Sequence, residues 1–225
     1  AGFGTRMRPL TSSRPKPLIE VAGRTLLDHA LDTAEAAGTR RAVVNLHYLG
    51  QMIRDHLARR ARPEIAFSEE TPEILETGGG IRRALPLLGP APFAVMNTDT
   101  VWAGANPLDR LVSAWDGERM DALLLLVPRA RATGHAGPGD FFLDGEAPRP
   151  RRQAAGAPHV YTGAQVLAPR AFEGAPEGAF SVREVWARAA ARGRLAAVVH
   201  EGGWADVGTP EGIAPAARML AGAGA

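Results

Sequence analysis

From Leu26 onward the chain alternates between two hydrophobic periods. Leu26–Ala37 carries apolar residues at helical spacing and stops at Gly38, a residue suited to leaving a helix in the left-handed region. Ala42–Leu46 follows as a short apolar run, the pattern of a buried strand. The exchange then repeats: Leu49–Arg60 helical, Glu64–Ser68 extended, Gly80–Leu88 helical, Phe93–Met96 extended, Pro107–Trp115 helical, Ala122–Val127 extended. Pro86 is expected to bend or end its helix. A chain that keeps switching period in this way has few packing options. The expectation is an α/β fold with a mainly parallel sheet and helices on both faces.

Beyond Val127 the texture changes. Arg129–Gly139 and Glu146–Pro158 are rich in Gly, Pro and Arg and are read as loops. Phe141–Leu143, Val160–Val166 and Leu195–Val199 are read as strands. Ser181–Ala191 is a helix with Ser181 as N-cap and Glu184 three residues on, and Pro210–Leu220 closes as a helix with proline in its first position. No internal repeat interrupts this order, and residues 1–225 are expected to form a single domain. The start does not fit the pattern. A-G-F-G-T-R opens without Met and without a strand, whereas a Gly-rich loop entering a sheet normally follows one. A short apolar strand ahead of Ala1 is therefore expected.

Several classes of function are disfavoured by composition. The longest apolar run is far too short to cross a bilayer, and no signal peptide is seen. With no cysteine, disulfides and thiolate metal sites are excluded. A cytoplasmic location is the default expectation, with no membrane partner. The net charge is only +2, and the arginines are scattered rather than clustered with aromatics. Pairs such as Arg40–Arg41 and Arg82–Arg83 read as solvated faces, so nucleic acid is not an expected partner. Oligomeric state is not legible.

Four stretches carry chemistry. In G-F-G-T-R-M-R-P, Gly2 and Gly4 permit close backbone approach, Thr5 and Arg6 add donors, and the turn's N–H groups can form a nest for phosphate oxygens. It is neither a Walker A loop nor a full dinucleotide fingerprint. Lys16 stands between Pro15 and Pro17 and is the one lysine among 26 Lys and Arg residues. Either it is a chance survivor of an arginine-biased composition, or the site needs a compact ammonium on a flexible stem, which a planar guanidinium cannot replace. In L-E-T-G-G-G, three glycines are expected to precede a helix and expose N–H groups at its positive end. Asp99, after F-A-V-M and Asn97-Thr98, and Asp206, in W-A-D-V-G-T-P, are carboxylates at strand ends that could share a hard cation such as Mg²⁺ with phosphates. A turn or N-cap role is the alternative for each. His47, His56 and His135 lack metal-ligand spacing and are read as structural or surface residues. Trp102, Trp115 and Trp186 are read as packing, and Trp204 as the tryptophan able to line a site.

Together these stretches resemble the sugar-1-phosphate nucleotidylyltransferase family. The signature A-G-F-G-T-R-M-R-P-L-T-S-S-R-P-K-P, E-T-G-G-G, Asn97-Thr98-Asp99, Tyr161-Thr162-Gly163 and D-V-G-T-P-E carry the likeness over nearly the whole chain. L-E-T-G-G-G-I-R-R-A-L-P-L-L-G resembles the uridylyltransferase subgroup that acts on N-acetylmuramate α-1-phosphate in bacterial cell-wall recycling. The resemblance implies a three-layer Rossmann-like fold with a mixed central sheet. It implies that Gly2, Gly4, Thr5 and Arg6 hold the triphosphate, that Ala1 binds the nucleotide with them and that Lys16 contacts phosphate. Glu76, Gly79 and Asn97 would join them around the nucleotide, the 76–80 segment reading the base largely through backbone groups. Asp99 and Asp206 would be the Mg²⁺ ligands, with Arg6, Lys16 and Asp99 the catalytic set. Gly139, Tyr161, Thr162 and Gly163 would lie near the sugar. The chain departs from the family in carrying Thr98 where a glycine usually precedes the first metal aspartate. The β-branched residue is expected to narrow the approach of ribose or sugar.

The implied reaction joins an NTP, UTP by the subgroup likeness, to a sugar-1-phosphate and releases pyrophosphate. The attacking phosphate oxygen is already ionised near neutral pH, so positioning and charge neutralisation carry the catalysis. A guanylyl- or thymidylyltransferase acting on a hexose-1-phosphate, or a nucleotide-binding regulatory protein without turnover, remains open at this point. A Rossmann oxidoreductase is disfavoured by the absent third glycine.

Overall fold

The computed structural model describes residues 2–144 and 150–223. In chain order the strands are β1 Glu20–Val21, β2 Arg24–Thr25, β3 Arg41–Leu46, β4 Glu64–Glu69, β5 Phe93–Met96, β6 Thr100–Ala103, β7 Ala122–Pro128, β8 Ala132–Thr133, β9 Gly139–Leu143, β10 Pro150–Ala157, β11 His159–Leu167, β12 Leu195–Val199 and β13 Gly203–Asp206. The α-helices are α1 Leu26–Ala36, α2 Gly50–Leu57, α3 Glu76–Leu88, α4 Pro107–Ala114, α5 Val182–Ala191 and α6 Ile213–Ala223. Several helix starts have a local cause. Thr25 Oγ1 accepts from Asp28 N at 3.0 Å to cap α1, and Asn106 caps α4 ahead of Pro107. Gly38, with φ 75°, follows α1 as expected. None of these helices is long and apolar enough to cross a membrane.

The sheet is built around β7. Leu124 and Leu126 pack on one side with Ile81 of α3 and Val185 and Trp186 of α5. Leu123 and Leu125 pack on the other with Leu108 and Leu111 of α4 and Ala34 of α1. A strand covered on both faces must be apolar at every position, which explains the unbroken L-L-L-L run. β12 pairs parallel to β7, and β11 pairs antiparallel to it. On its other edge β11 meets β9 and β5, both antiparallel. The result is a mixed sheet with helices on both faces, in which, among the described residues, β7 and β12 pair parallel and the other pairings are antiparallel, fewer parallel pairs than the alternating pattern led us to expect. β5, β7 and β12 run in one direction, so their carboxyl ends share one end of the sheet.

β3 and β4 form a separate parallel pair covered by Leu27 and Leu31 of α1 and Ile53 and Leu57 of α2. Among the described residues no strand bridges β3 and β5. A cavity of about 900 Å³ runs between them, with Val43 and Val44 on one wall and Ala94 and Val95 on the other.

Five expectations need correction. α3 begins at Glu76, so the triple glycine lies inside it, and Pro86 does not interrupt the helix before Leu88. Pro150–Ala157, read as loop, is a strand paired antiparallel with β9, and Ala132–Thr133, also read as loop, pairs with β13. The closing helix starts at Ile213, after a 3-10 turn at Pro210–Gly212.

Candidate active site

The carboxyl end of β5 collects the conspicuous residues. Gly4 adopts φ 63°, and a Cβ there would lie 3.0 Å from Thr11 Cγ2 and 3.2 Å from Lys16 Cβ. Thr11 Oγ1 donates to the Gly4 carbonyl at 2.8 Å, closing the loop on itself. Buried Met7 anchors it below. Lys16 opens a 3-10 turn from an extended Pro15, and buried Leu18 fixes the other end of that turn. The Lys16 stem is thus held on three sides, and Nζ donates to Asp99 Oδ2 at 2.8 Å.

Asp99 and Asp206 meet through the backbone. Val207 N donates to the Asp99 carbonyl at 2.8 Å, and Asp206 pairs with Thr100 across β13 and β6. Gly208 N donates to Asp206 Oδ1 at 2.7 Å, and a Cβ on Gly208 would stand 3.5 Å from Arg6 Nη1. Arg6, Lys16, Asp99 and Asp206 therefore gather from the beginning, the middle and the end of the chain. Each aspartate has one oxygen taken by a neighbour that donates. Among the described residues no three His, Asp or Glu side chains make a ready-made metal cage. The two aspartates supply hard oxygen donors and leave room for ligands from elsewhere, which suits Mg²⁺ shared with phosphate.

The cavity is lined by the Gly2–Arg6 loop, Lys16, Asn97, Thr98, Asp99, Glu76, Thr77, Gly80 and Gly208. Thr98 lies on this lining beside Asp99. Ala1 lies outside the described residues.

The chain matches the MobA-like NTP transferase domain over residues 1–177. It belongs to that family. Two relatives are N-acetylmuramate α-1-phosphate uridylyltransferases. The one from Caulobacter vibrioides is 45% identical, with 98% of this chain and 94% of the relative covered. That from Neisseria meningitidis is 36% identical, covering 93% and 90%. Among solved structures, UDP-glucose pyrophosphorylase complexed with UDP-glucose superposes with a TM-score of 0.81 at 17% identity, covering 97% of this chain and 94% of that one. At that identity the likeness speaks for the Rossmann-like fold.

In this NTP transferase the triple glycine serves close packing. The N–H groups of Gly78 and Gly79 both donate to the Phe180 carbonyl, at 2.9 and 3.2 Å, and are not free for a ligand. A Cβ on Gly79 would fall 2.1 Å from the Gly178 carbonyl oxygen, and one on Gly78 2.5 Å from the Phe180 ring. Gly79 therefore faces Gly178, while Glu76, with an uncommon φ of 55°, lines the cavity.

The expected sugar residues are placed mostly by structural need. Thr162 is fully buried, its Oγ1 donating to the Leu125 carbonyl at 2.8 Å where β11 shifts register against β7. Gly163, φ 85°, lets Asn97 approach, and Asn97 N donates to its carbonyl at 2.9 Å. A Cβ on Gly139 would meet the Ala157 carbonyl at 1.9 Å. Tyr161 differs: burial, and then the negative charge of Asp99, push its phenol well above the ordinary range. It stays protonated beside the aspartate. Trp204 is buried with Nε1 donating to the Thr162 carbonyl at 2.9 Å, so it is packing rather than lining.

Sequence reasoning missed Glu70 and His135. Glu70 is 2% exposed, accepting from Asn45 Nδ2 and from Leu75 N, both at 3.0 Å. Asn45 Nδ2 also donates to the Gly80 carbonyl at 2.9 Å. The pair ties both ends of the Leu75–Gly80 segment to the ends of β3 and β4. The signal was present: Glu70 directly follows β4, and Asp99 likewise stands just beyond the end of β5. His135, read as structural or surface, stands against Asp206.

Proposed function

We propose that this chain is a Mg²⁺-dependent nucleotidylyltransferase that joins UTP to N-acetylmuramate α-1-phosphate and releases pyrophosphate. The observation that carries the reading is the convergence of Arg6, Lys16 and Asp99 on one cavity at the sheet's carboxyl end, with Asp206 accepting from the N–H of Gly208, which lines the same cavity. The choice of substrates is supported by near-full-length similarity to two relatives named for that activity.

The chemistry needs little from acids or bases. An ionised oxygen of the sugar phosphate attacks the α-phosphorus of UTP in line. The bond from that phosphorus to the bridging oxygen breaks, and pyrophosphate leaves with the electron pair. No proton is transferred, so the barrier is one of bringing anions together. The Gly2–Thr5 amides and Arg6 receive the departing phosphates. Lys16 exchanges Asp99 for phosphate oxygen and holds the α-phosphate against the attacking group. Asp99 and Asp206 would hold Mg²⁺, whose charge when bound offsets that of both substrates. Substrates of this kind fit a single-domain cytoplasmic enzyme.

Pyrophosphate release with UTP and Mg²⁺ tests the reading. N-acetylmuramate α-1-phosphate should turn over in preference to glucose-, N-acetylglucosamine- and mannose-1-phosphate. Preference for another sugar, or for GTP or dTTP, would move the substrate assignment. Tight UTP binding with no turnover on any sugar phosphate would replace the enzyme reading with a regulatory one.

A further inference from the structure

The turn at Gly134 brings an imidazole to a carboxylate 71 positions away, a proximity that no sequence spacing suggests. Gly134 has φ 74°, and a Cβ there would lie 2.5 Å from the Asp206 carbonyl oxygen. Gly212 closes on the same oxygen, its hypothetical Cβ at 2.4 Å. The turn therefore packs backbone to backbone on Asp206, which only glycine allows. His135 is next in the chain, and its Nδ1 stands 3.6 Å from Asp206 Oδ2.

The other side of the ring determines what Nδ1 offers. Nε2 lies 3.2 Å from the Pro138 carbonyl oxygen. A carbonyl accepts and cannot donate, so Nε2 carries the ring proton. In the neutral ring Nδ1 then turns its lone pair to Asp206 Oδ2, and 3.6 Å is beyond a direct hydrogen bond. Oδ2 is the oxygen of Asp206 that does not accept from Gly208 N. Two electron-pair donors face each other here across a gap that a cation would bridge. A histidine that binds a metal through one nitrogen almost always donates its other N–H to a carboxylate, carbonyl or water, which sets tautomer and ring orientation. The contact to Pro138 does this for His135. The Trp204 ring, 6.4 Å away between centroids, bounds the histidine from behind.

We propose that His135 Nδ1 is a ligand, alongside Asp206, for the divalent cation of this site. The proposal rests on the reading of Asp206 as a cation-holding residue. It changes the donor set from all-oxygen to mixed nitrogen and oxygen. Imidazole favours the later first-row divalent ions, whereas carboxylate, carbonyl and water suit Mg²⁺. The site should therefore bind Co²⁺ or Ni²⁺ more tightly than Mg²⁺, and the margin should come from His135.

The test is pulsed electron paramagnetic resonance of the full chain with Mn²⁺ and UTP. Wild-type protein should show ¹⁴N modulation from a directly bound imidazole. In His135→Gln the modulation should vanish while Mn²⁺ still binds, more weakly than to the wild type. The wild-type spectrum decides the matter even if that variant fails to fold. Bound Mn²⁺ without nitrogen coupling, or coupling that persists in His135→Gln, overturns the proposal and leaves Asp206 as a cation residue. No Mn²⁺ binding in the presence of UTP overturns both readings together.

Discussion

Lys16 and Asp99, 83 positions apart in the chain, are joined by a 2.8 Å contact from Nζ to Oδ2. The pair sits where the Gly-rich loop meets the end of β5, with both side chains largely shielded. A lysine here can swing its charge from carboxylate to phosphate by rotating a thin stem. Arginine would fill the space beneath Gly4 and Thr11 with a planar fork and fix its own direction. Lys16→Arg is expected to keep the fold and lose roughly 10²–10³ in turnover, the loss typical of one misplaced electrostatic donor. Pyrophosphate release measured beside circular dichroism would show it. Wild-type turnover in this variant would mean that charge alone is required at position 16.

Gly79→Ala should act through stability. Its added methyl would overlap the Gly178 carbonyl, a backbone atom that no rotamer change removes. The loss is expected at about 1–3 kcal/mol, the range for overpacking, read as a lower urea midpoint at unchanged slope. Gly222→Ala serves as control. Gly222 is helical like Gly79 but has no neighbour within 4 Å of its missing Cβ, so no loss is expected there. Equal losses at the two positions would remove the packing account of the triple glycine.

The larger features of this fold follow from patterns local to the chain. The switching period placed β3, β4, β5, β7 and β12, and the strand-end rule singled out Asp99 and Asp206, which do lie together. What escaped depends on partners remote in sequence. P-R-R-Q-A-A-G-A has no apolar alternation, and β10 exists because β9 offers it an edge. Glycine signals a turn or a close contact equally well, and only Phe180, about a hundred residues on, shows which role Gly78 and Gly79 play. His135 has no spacing relation to Asp206 because their proximity is made by a turn packed on a backbone oxygen.

Glu70→Gln should separate nucleotide binding from folding. The carboxylate accepts from two donors, and an amide can satisfy only one of them with its oxygen. Leu75 N or Asn45 is then left short, and the segment leading to Gly80 loses one of its ties. Stability should fall by about 1–3 kcal/mol. KM for the nucleotide should rise several-fold with kcat little changed. A loss of stability with unchanged KM would make Glu70 a purely structural residue.

At the opposite end of β7 from Asp99, Asp121 offers a prediction in acid. Its buried carboxylate accepts from Arg170 Nε and Arg194 Nε, both at 2.7 Å, and pairs with Arg192 Nη2 at 3.0 Å. Burial alone would raise its titration, but the hydrogen bonds from Arg170 and Arg194, and the charges of Arg194 and Arg192, outweigh burial and hold it below the ordinary value. The folded value lies below the unfolded one, so the stabilisation is complete above the unfolded value of about 3.9 and is lost as pH falls through the folded value. Asp121→Asn should therefore cost about 1.5–3 kcal/mol near neutrality, the range for hydrogen bonds to a charged group. The gap in urea midpoint between wild type and variant should hold steady from neutral pH down to about 5 and close in stronger acid. Turnover near neutrality should be unchanged, because the cluster lies at the far end of the sheet. A gap that stays constant into strong acid would show that shape, and not the carboxylate's charge, is what the three arginines recognise.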